Sequence, residues 1–244
     1  MEIQSKPLLI DEYETRASRP SAISPPKAKV APKFSRLPDH VGLIPDGNRR
    51  WARMSGLLPQ LGYAAGLDRG LIMLDECLHL GIREVSVYGF TTDNAKRPPE
   101  QSKAFTDACV GFVESARERN VAIRVVGDTR SAMFPQKLRP YAEARIGAGM
   151  RVNVLVNYGW EWDLRTAAEG DPKRRFHERL ASADVSRIDL LVRWGGMRRL
   201  SGMLPVQTVY SDFYVVDELW PDYEAEQFHA ALRWYAKQDV TLGG

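Results

Sequence analysis

Cysteine is nearly absent from this chain of 244 residues: Cys77 and Cys109 are the only two. Two thiols cannot build a disulfide framework. Both fall at apolar positions of helical repeats, so they read as buried and reduced, and a cytoplasmic protein is expected. The four histidines are scattered, and no Cys/His pattern has zinc-ligand spacing. The G-x-S-x-G, Walker A and G-x-G-x-x-G signatures are missing as well, which removes the usual hydrolase, nucleotide-triphosphate and dinucleotide readings. No apolar run approaches the roughly 20 residues of a membrane span, so no transmembrane segment is expected. Residues 1–10 lack the basic start, long apolar run and small-residue cleavage site of a signal peptide.

Net charge is also lacking where it would matter. Residues 1–38 hold seven of the 34 Lys/Arg and four of the 31 Asp/Glu, which leaves 27 against 27 in the rest. The basic balance belongs to the N-terminal segment, and no nucleic-acid footprint is left for the remainder. That segment is rich in Pro, Ser, Lys and Ala and is expected to be a disordered or loosely attached tail. A single catalytic domain is expected over residues 39–244.

From Asp39 on, strand and helix patterns alternate. Apolar strands are expected at 41–45, 84–90, 122–127, 152–157, 188–193 and 212–216. Leu67, Leu71, Leu74 and Leu78 recur at helical spacing and stop at Gly81. Further helices are expected around 105–116, 135–146, 162–182 with a break at 170–172, and 228–235. Such alternation implies an α/β fold, a central and largely parallel sheet flanked by helices, with ligands at the carboxyl ends of the strands. Asp46, Thr91 to Asn94, Asn157 and Arg193 all fall at such ends.

Three clusters carry chemistry there. Pro45-Asp46-Gly47-Asn48-Arg49-Arg50-Trp51 combines a glycine turn, whose N–H groups suit an anion, with arginines fitted to bidentate phosphate contacts. An acid among such cations makes sense if it holds a metal that bridges to phosphate, although an Asp-Gly turn alone is often only a turn. Phe90-Thr91-Thr92-Asp93-Asn94-Ala95-Lys96-Arg97-Pro98 offers hydroxyls, an amide and cations that either bind diphosphate or cap the next helix. Arg193-Trp194-Gly195-Gly196-Met197-Arg198-Arg199-Leu200-Ser201 forms a second plausible anion cradle.

Together these clusters resemble the cis-prenyltransferase family, which contains undecaprenyl diphosphate synthase. The matching blocks run in family order: His40-Val41 through Asp46-Gly47-Asn48 with Arg50-Trp51, Tyr88-Gly89-Phe90 through Asn94 with Arg97-Pro98, Gly127-Asp128, Asn157-Tyr158-Gly159, Asp189 to Arg193, Arg199 with Ser201, and Leu219-Trp220-Pro221-Asp222. The resemblance implies an enzyme acting on isoprenyl diphosphates. By it, Asp46 assists departure of the allylic diphosphate with Mg²⁺, and Asn94 lies near the reacting carbons. Gly47, Asn48, Arg49, Arg50 and Arg97 hold the donor diphosphate, while Arg193, Arg199 and Ser201 grip the acceptor diphosphate. Asp212 stands where the family has a metal-associated glutamate, and a homodimer with an apolar tunnel is expected.

The departures point to the product. Tyr63 replaces the histidine of a Gly-His-x-Ala-Gly block, Pro59 stands where an arginine is frequent, and Ala95 replaces a tryptophan. Trp194 and Met197 replace a small residue and a glutamate in the acceptor block, and are read as shaping the acceptor pocket. Thr241-Leu242-Gly243 lacks the usual arginine of Arg-x-Gly. The helical segment 98–119 is about one turn short, which implies products of about two or three isoprene units, an inference from the resemblance rather than from a volume. Three readings follow: a regular head-to-tail synthase, an irregular lavandulyl-type synthase of the cyclolavandulyl or isosesquilavandulyl kind, and a non-catalytic accessory subunit. Retained Asp46, Asn48, Arg50, Arg193 and Arg199 speak against the last. Retained phosphate ligands beside remodelled hydrocarbon neighbours favour the irregular synthase.

Overall fold

β1 (His40–Ile44) is an interior strand of a seven-stranded sheet, next to the central strand. The other strands are β2 (Glu84–Tyr88), β3 (Val121–Val126), β4 (Ile146–Gly147), β5 (Met150–Leu155), β6 (Leu190–Arg193) and β7 (Asp212–Val215). Their order is β4-β3-β5-β2-β1-β6-β7, and every pairing is parallel except β3 with β4. The computed structural model describes residues 33–239, all within a compact unit that begins at Lys33. Residues 1–32 of the expected tail and Thr241-Leu242-Gly243 lie outside the described residues.

Strand alternation divides the interior. Val41, Leu43, Leu190, Val192 and Trp194 face the larger core, while Ile44 and Leu191 face a smaller one with Tyr158, Met203 and Leu204. The larger core is packed by α2 (Gly62–Leu80), α3 (Pro99–Ala116) and α6 (Ala225–Tyr235). α1 (Asn48–Met54) follows β1 after two loop residues and a cap at Gly47, and α5 (Trp160–Glu169) lays Trp162 on the smaller core. Gly81 closes α2 in a left-handed conformation at φ 76°, as its place after the leucine repeat implies.

Two stretches depart from the sequence reading. Residues 135–146 hold only a 3₁₀ turn and the five-residue α4 (Arg139–Glu143), because the chain becomes extended at Ala144 and enters β4, which pairs antiparallel with β3. Residues 33–38 are not loose: Phe34 meets His229 edge-on at 5.8 Å, and Leu37 packs on the larger core. Arg36 lies over the Tyr235 ring at 4.2 Å and donates to the Tyr235 carbonyl at 2.5 Å.

At the amino ends of the strands, away from the ligand end, lies a buried polar cluster. His40 Nε2 meets Ser86 Oγ at 2.9 Å, and Asn153 donates to Ser86 at 3.0 Å and to Glu84 at 2.7 Å. Burial pushes the His40 imidazole down, although Glu84 and backbone carbonyls pull the other way. Burial alone would raise the Glu84 carboxyl, but His40, hydrogen bonds from Ser186 and Asn153, and Arg151 hold it below the usual range. Both groups therefore bind fewer protons folded than unfolded, and stability falls as pH falls. The melting temperature is expected to drop first below about pH 6.5, where unfolded histidine charges, and further through the carboxylate range. His40→Gln should flatten the first part of that fall in thermal melts from pH 8 to pH 4.5. A wild-type melting temperature constant from pH 8 to pH 5 would remove the argument.

Candidate active site

The carboxyl end of β1 opens into a cavity of about 440 Å³. Three segments converge there: the turn from β1 into α1, the 3₁₀ turn Thr92–Lys96 after β2, and the loop after β6. Gly47 makes the first turn at φ 113°, and a Cβ would meet the Leu219 side chain at 2.9 Å, so only glycine fits. α1 and α2 cross closely because Gly66 has no side chain; a Cβ there would lie 2.1 Å from Asn48 Oδ1. Asn48 Nδ2 donates to the Pro45 carbonyl at 3.1 Å, while the buried Oδ1 has no partner.

Asp46 and Arg193 form the centre of the site. Arg193 Nη2 donates to Asp46 Oδ2 at 2.7 Å, with the arginine side chain only 4 % exposed and the carboxylate 36 %. Arg193 Nη1 reaches Ser201 Oγ at 2.7 Å and the Arg199 carbonyl at 2.5 Å. One guanidinium thus joins the β1 turn to the β6 loop. Arg50 adds a longer contact to Asp46 at 3.7 Å and donates to the Gly195 carbonyl at 2.9 Å. Arg50 therefore stands between the two loops, where it can address either anion.

The cavity is lined by six arginines, Arg49, Arg50, Arg53, Arg97, Arg193 and Arg199, against Asp46 and Asp93. Asp93 is paired with Lys96 at 2.8 Å. Among the described residues Arg49, Arg53, Arg97 and Arg199 make no ion pair of their own. Arg193 is buried, Arg49, Arg50 and Arg97 are half-buried and Arg53 and Arg199 are exposed, so the cavity presents an excess of cations whose guanidinium forks match phosphate oxygens. Asn94 lines the same cavity and accepts the Thr91 N–H at 3.1 Å, so the second cluster both caps its turn and faces the site.

Two of the expected site residues are elsewhere. Trp194 does not shape the cavity: it is 0 % exposed, donates to Gln227 at 2.9 Å and packs on Trp220 and Tyr223 at 4.8 and 5.8 Å. Continuing the alternation of β6 turns it into the larger core. Asp212 opens β7 beside Leu190, whereas Arg193 is paired with Val215. Asp212 therefore sits at the amino end of the sheet, about 10 Å of strand from the level of Arg193. Asp46 and Asp212 of one chain cannot share an ion. No cluster of three potential metal ligands occurs among the described residues.

Arg53 and Tyr63 were not expected in the site. Arg53 stands one helical turn after Arg49, and that spacing was its available signal. Behind the cations lies a small apolar pocket of about 60 Å³, walled by Phe105, Phe112 and Trp220 among others.

The family model described as "Putative undecaprenyl diphosphate synthase" matches residues 44–243. The chain belongs to the cis-prenyltransferase family. It is 33 % identical over 239 residues to an isoprenyl transferase of Thermus thermophilus, covering 86 % of this chain and 90 % of that one. Ditrans,polycis-undecaprenyl-diphosphate synthase of Escherichia coli K12 is 29 % identical over 226 residues, with 84 % and 89 % covered. Among solved structures, lavandulyl diphosphate synthase from Lavandula x intermedia, in complex with dimethylallyl diphosphate, matches with a TM-score of 0.75 and 23 % identity. That match covers 85 % of this chain and 99 % of the other, and shows the shared fold. This cis-prenyltransferase is a prenyl-transferring enzyme, and none of its described helices is long and apolar enough to cross a membrane.

Proposed function

We propose that this cis-prenyltransferase is a short-chain synthase that joins dimethylallyl or geranyl diphosphate to dimethylallyl diphosphate by head-to-middle coupling. The donor loses diphosphate to give an allylic cation. The central carbon of the acceptor alkene attacks it, and the tertiary cation that results loses a proton to leave a branched lavandulyl-type diphosphate. The six cavity arginines supply charge for two diphosphates, and preorganised donors of this kind stabilise the leaving group as its charge grows.

The observation that carries the coupling mode is Met197. It is 39 % exposed and lines the cavity, within a loop that keeps Arg193, Arg199 and Ser201. Dimethylallyl and isopentenyl diphosphates carry the same headgroup and differ in alkene position. A changed acceptor therefore calls for the same cations beside a changed neighbour, and an adaptable apolar side chain is such a change. The lavandulyl name of the structural neighbour agrees with this reading. The 60 Å³ pocket, far below the roughly 300 Å³ of an ordinary ligand site, supports a short product.

The residues present fit Mg²⁺, which binds through one or two carboxylates and completes its shell with phosphate and water; Asp46 offers one such carboxylate to the cavity. When bound, the ion neutralises diphosphate oxygens and eases their departure. A homodimer belongs to the same reading. The protein as proposed works in the cytoplasm.

Incubation with dimethylallyl diphosphate alone, and then with geranyl or isopentenyl diphosphate added, is expected to yield branched products of two or three isoprene units by mass spectrometry. Met197→Glu should weaken the branched reaction about tenfold, roughly the 1–3 kcal/mol that one pocket contact contributes, and improve use of isopentenyl diphosphate. Linear head-to-tail products under every pairing would instead establish the regular synthase; the Escherichia relative is named an undecaprenyl-diphosphate synthase. Chains much longer than three units would refute the short pocket.

A further inference from the structure

Arg97 is held differently from Arg193 and Arg50. Arg193 and Arg50 spend charge on Asp46. Arg97 makes no ion pair among the described residues; its Nη1 donates to Tyr63 Oη at 2.9 Å, and its guanidinium carbon lies 5.5 Å from the Phe105 centroid. Tyr63 is buried and stacks on Phe105 with centroids 4.6 Å apart and planes within 3°. Burial raises the Tyr63 hydroxyl against the opposing charges of Arg97 and Arg49, which keeps the phenol neutral at physiological pH.

The choice of a phenol has an electrostatic meaning. A carboxylate at this place would cancel the arginine charge, and the imidazole usual in the resembling block could take up a proton and repel it. A neutral hydroxyl oxygen accepts the hydrogen bond, fixes the fork and leaves the whole positive charge for a ligand. Tyr63 also has a second surface. It and Phe105 line both the cationic cavity and the apolar pocket behind it, so the stacked pair forms part of the wall between them, with Pro45, Asn48 and Gly89.

We propose that Tyr63 is a positioning residue for the donor: its hydroxyl aims Arg97 at the donor diphosphate, and its ring, backed by Phe105, sets where the donor hydrocarbon enters the apolar pocket. The inference rests on the prenyltransfer reading above but makes a claim about binding that needs no turnover. In the full chain, Tyr63→Phe keeps the stack and removes the acceptor. Affinity for inorganic diphosphate in the presence of Mg²⁺, measured by calorimetry, should fall about tenfold, as for loss of a hydrogen bond to a charged group. KM for dimethylallyl diphosphate as donor should rise by a similar factor, with kcat within about threefold and the acceptor KM unchanged. Phe105→Leu removes the stack and keeps the hydroxyl. It should shift preference towards geranyl diphosphate and leave the affinity for inorganic diphosphate as it was. Unchanged diphosphate affinity in Tyr63→Phe, or equal rises in both KM values, would overturn the positioning role. Loss of diphosphate affinity in Phe105→Leu equal to that in Tyr63→Phe would overturn the division between hydroxyl and ring. If the wild type transfers no prenyl group yet Tyr63→Phe still weakens diphosphate binding, the positioning role stands and the activity reading fails.

Discussion

Replacing Asp46 by alanine is expected to cut turnover by about a hundredfold or more, the loss typical of removing a main electrostatic contributor, while the protein stays folded. The carboxylate is more than one-third exposed and supports no part of either core. Its partner Arg193 keeps Ser201 and the Arg199 carbonyl as acceptors for Nη1 while Nη2 loses its carboxylate, so a lowered melting temperature without unfolding is expected. Product formation with Mg²⁺ under saturating substrates gives kcat, and a thermal melt separates lost chemistry from lost structure. Asp46→Asn, which keeps shape without charge, should be nearly as damaged. Activity within tenfold of wild type in a folded Asp46→Ala protein would remove Asp46 from the mechanism.

Arg193 should be less forgiving than any other cation of the site. It spans two loops through three contacts, and its side chain is almost wholly enclosed. Arg193→Ala is expected to raise the acceptor KM and lower kcat together, for a loss of about a hundredfold or more in kcat/KM, equivalent to about 2.7 kcal/mol or more of transition-state stabilisation. Arg193→Lys should recover little, because a single ammonium cannot direct separate N–H groups at Asp46, Ser201 and the Arg199 carbonyl. Steady-state kinetics with acceptor varied provide the check. A lysine variant with wild-type acceptor KM would mean that the fork geometry is irrelevant.

Most of the fold was legible because a parallel sheet buried on both faces needs strands that are nearly continuous apolar runs. Residues 188–193 and 152–157 are such runs; the first contains β6 and the second overlaps β5. The site was legible to the same degree, since strand ends bring Asp46, Asn94 and Arg193 to one rim. The two displaced residues were misread against signals already present. Trp194 shares its strand parity with Val192 and Leu190, which face the larger core, so an inward tryptophan follows from period two. Asp212 begins a strand, and beginnings of parallel strands lie opposite the ligand end. The Tyr63–Arg97 contact had no comparable signal. It joins residues 34 positions apart through the packing of α2 on α3. The short α4 is a similar case: a stretch with Pro140 was cut short by the edge strand β4, which only its pairing with β3 reveals.

The placement of β1 has a bearing on how this enzyme comes into being. Its neighbours are β2 and β6, and the Asp46–Arg193 contact closes over 147 positions. Closing so long a span is entropically costly, and chains dominated by distant pairings mature slowly. During synthesis the N-terminal half can pair β1 with β2 and seat α1 and α2, but Asp46 then has no Arg193 opposite it. The anion cradle is completed only when the last quarter of the chain has emerged and β6 has docked. A nascent or truncated chain would therefore carry a cationic, half-built pocket with an exposed strand edge at β1, and that edge is where a chaperone or an aggregating neighbour would find it.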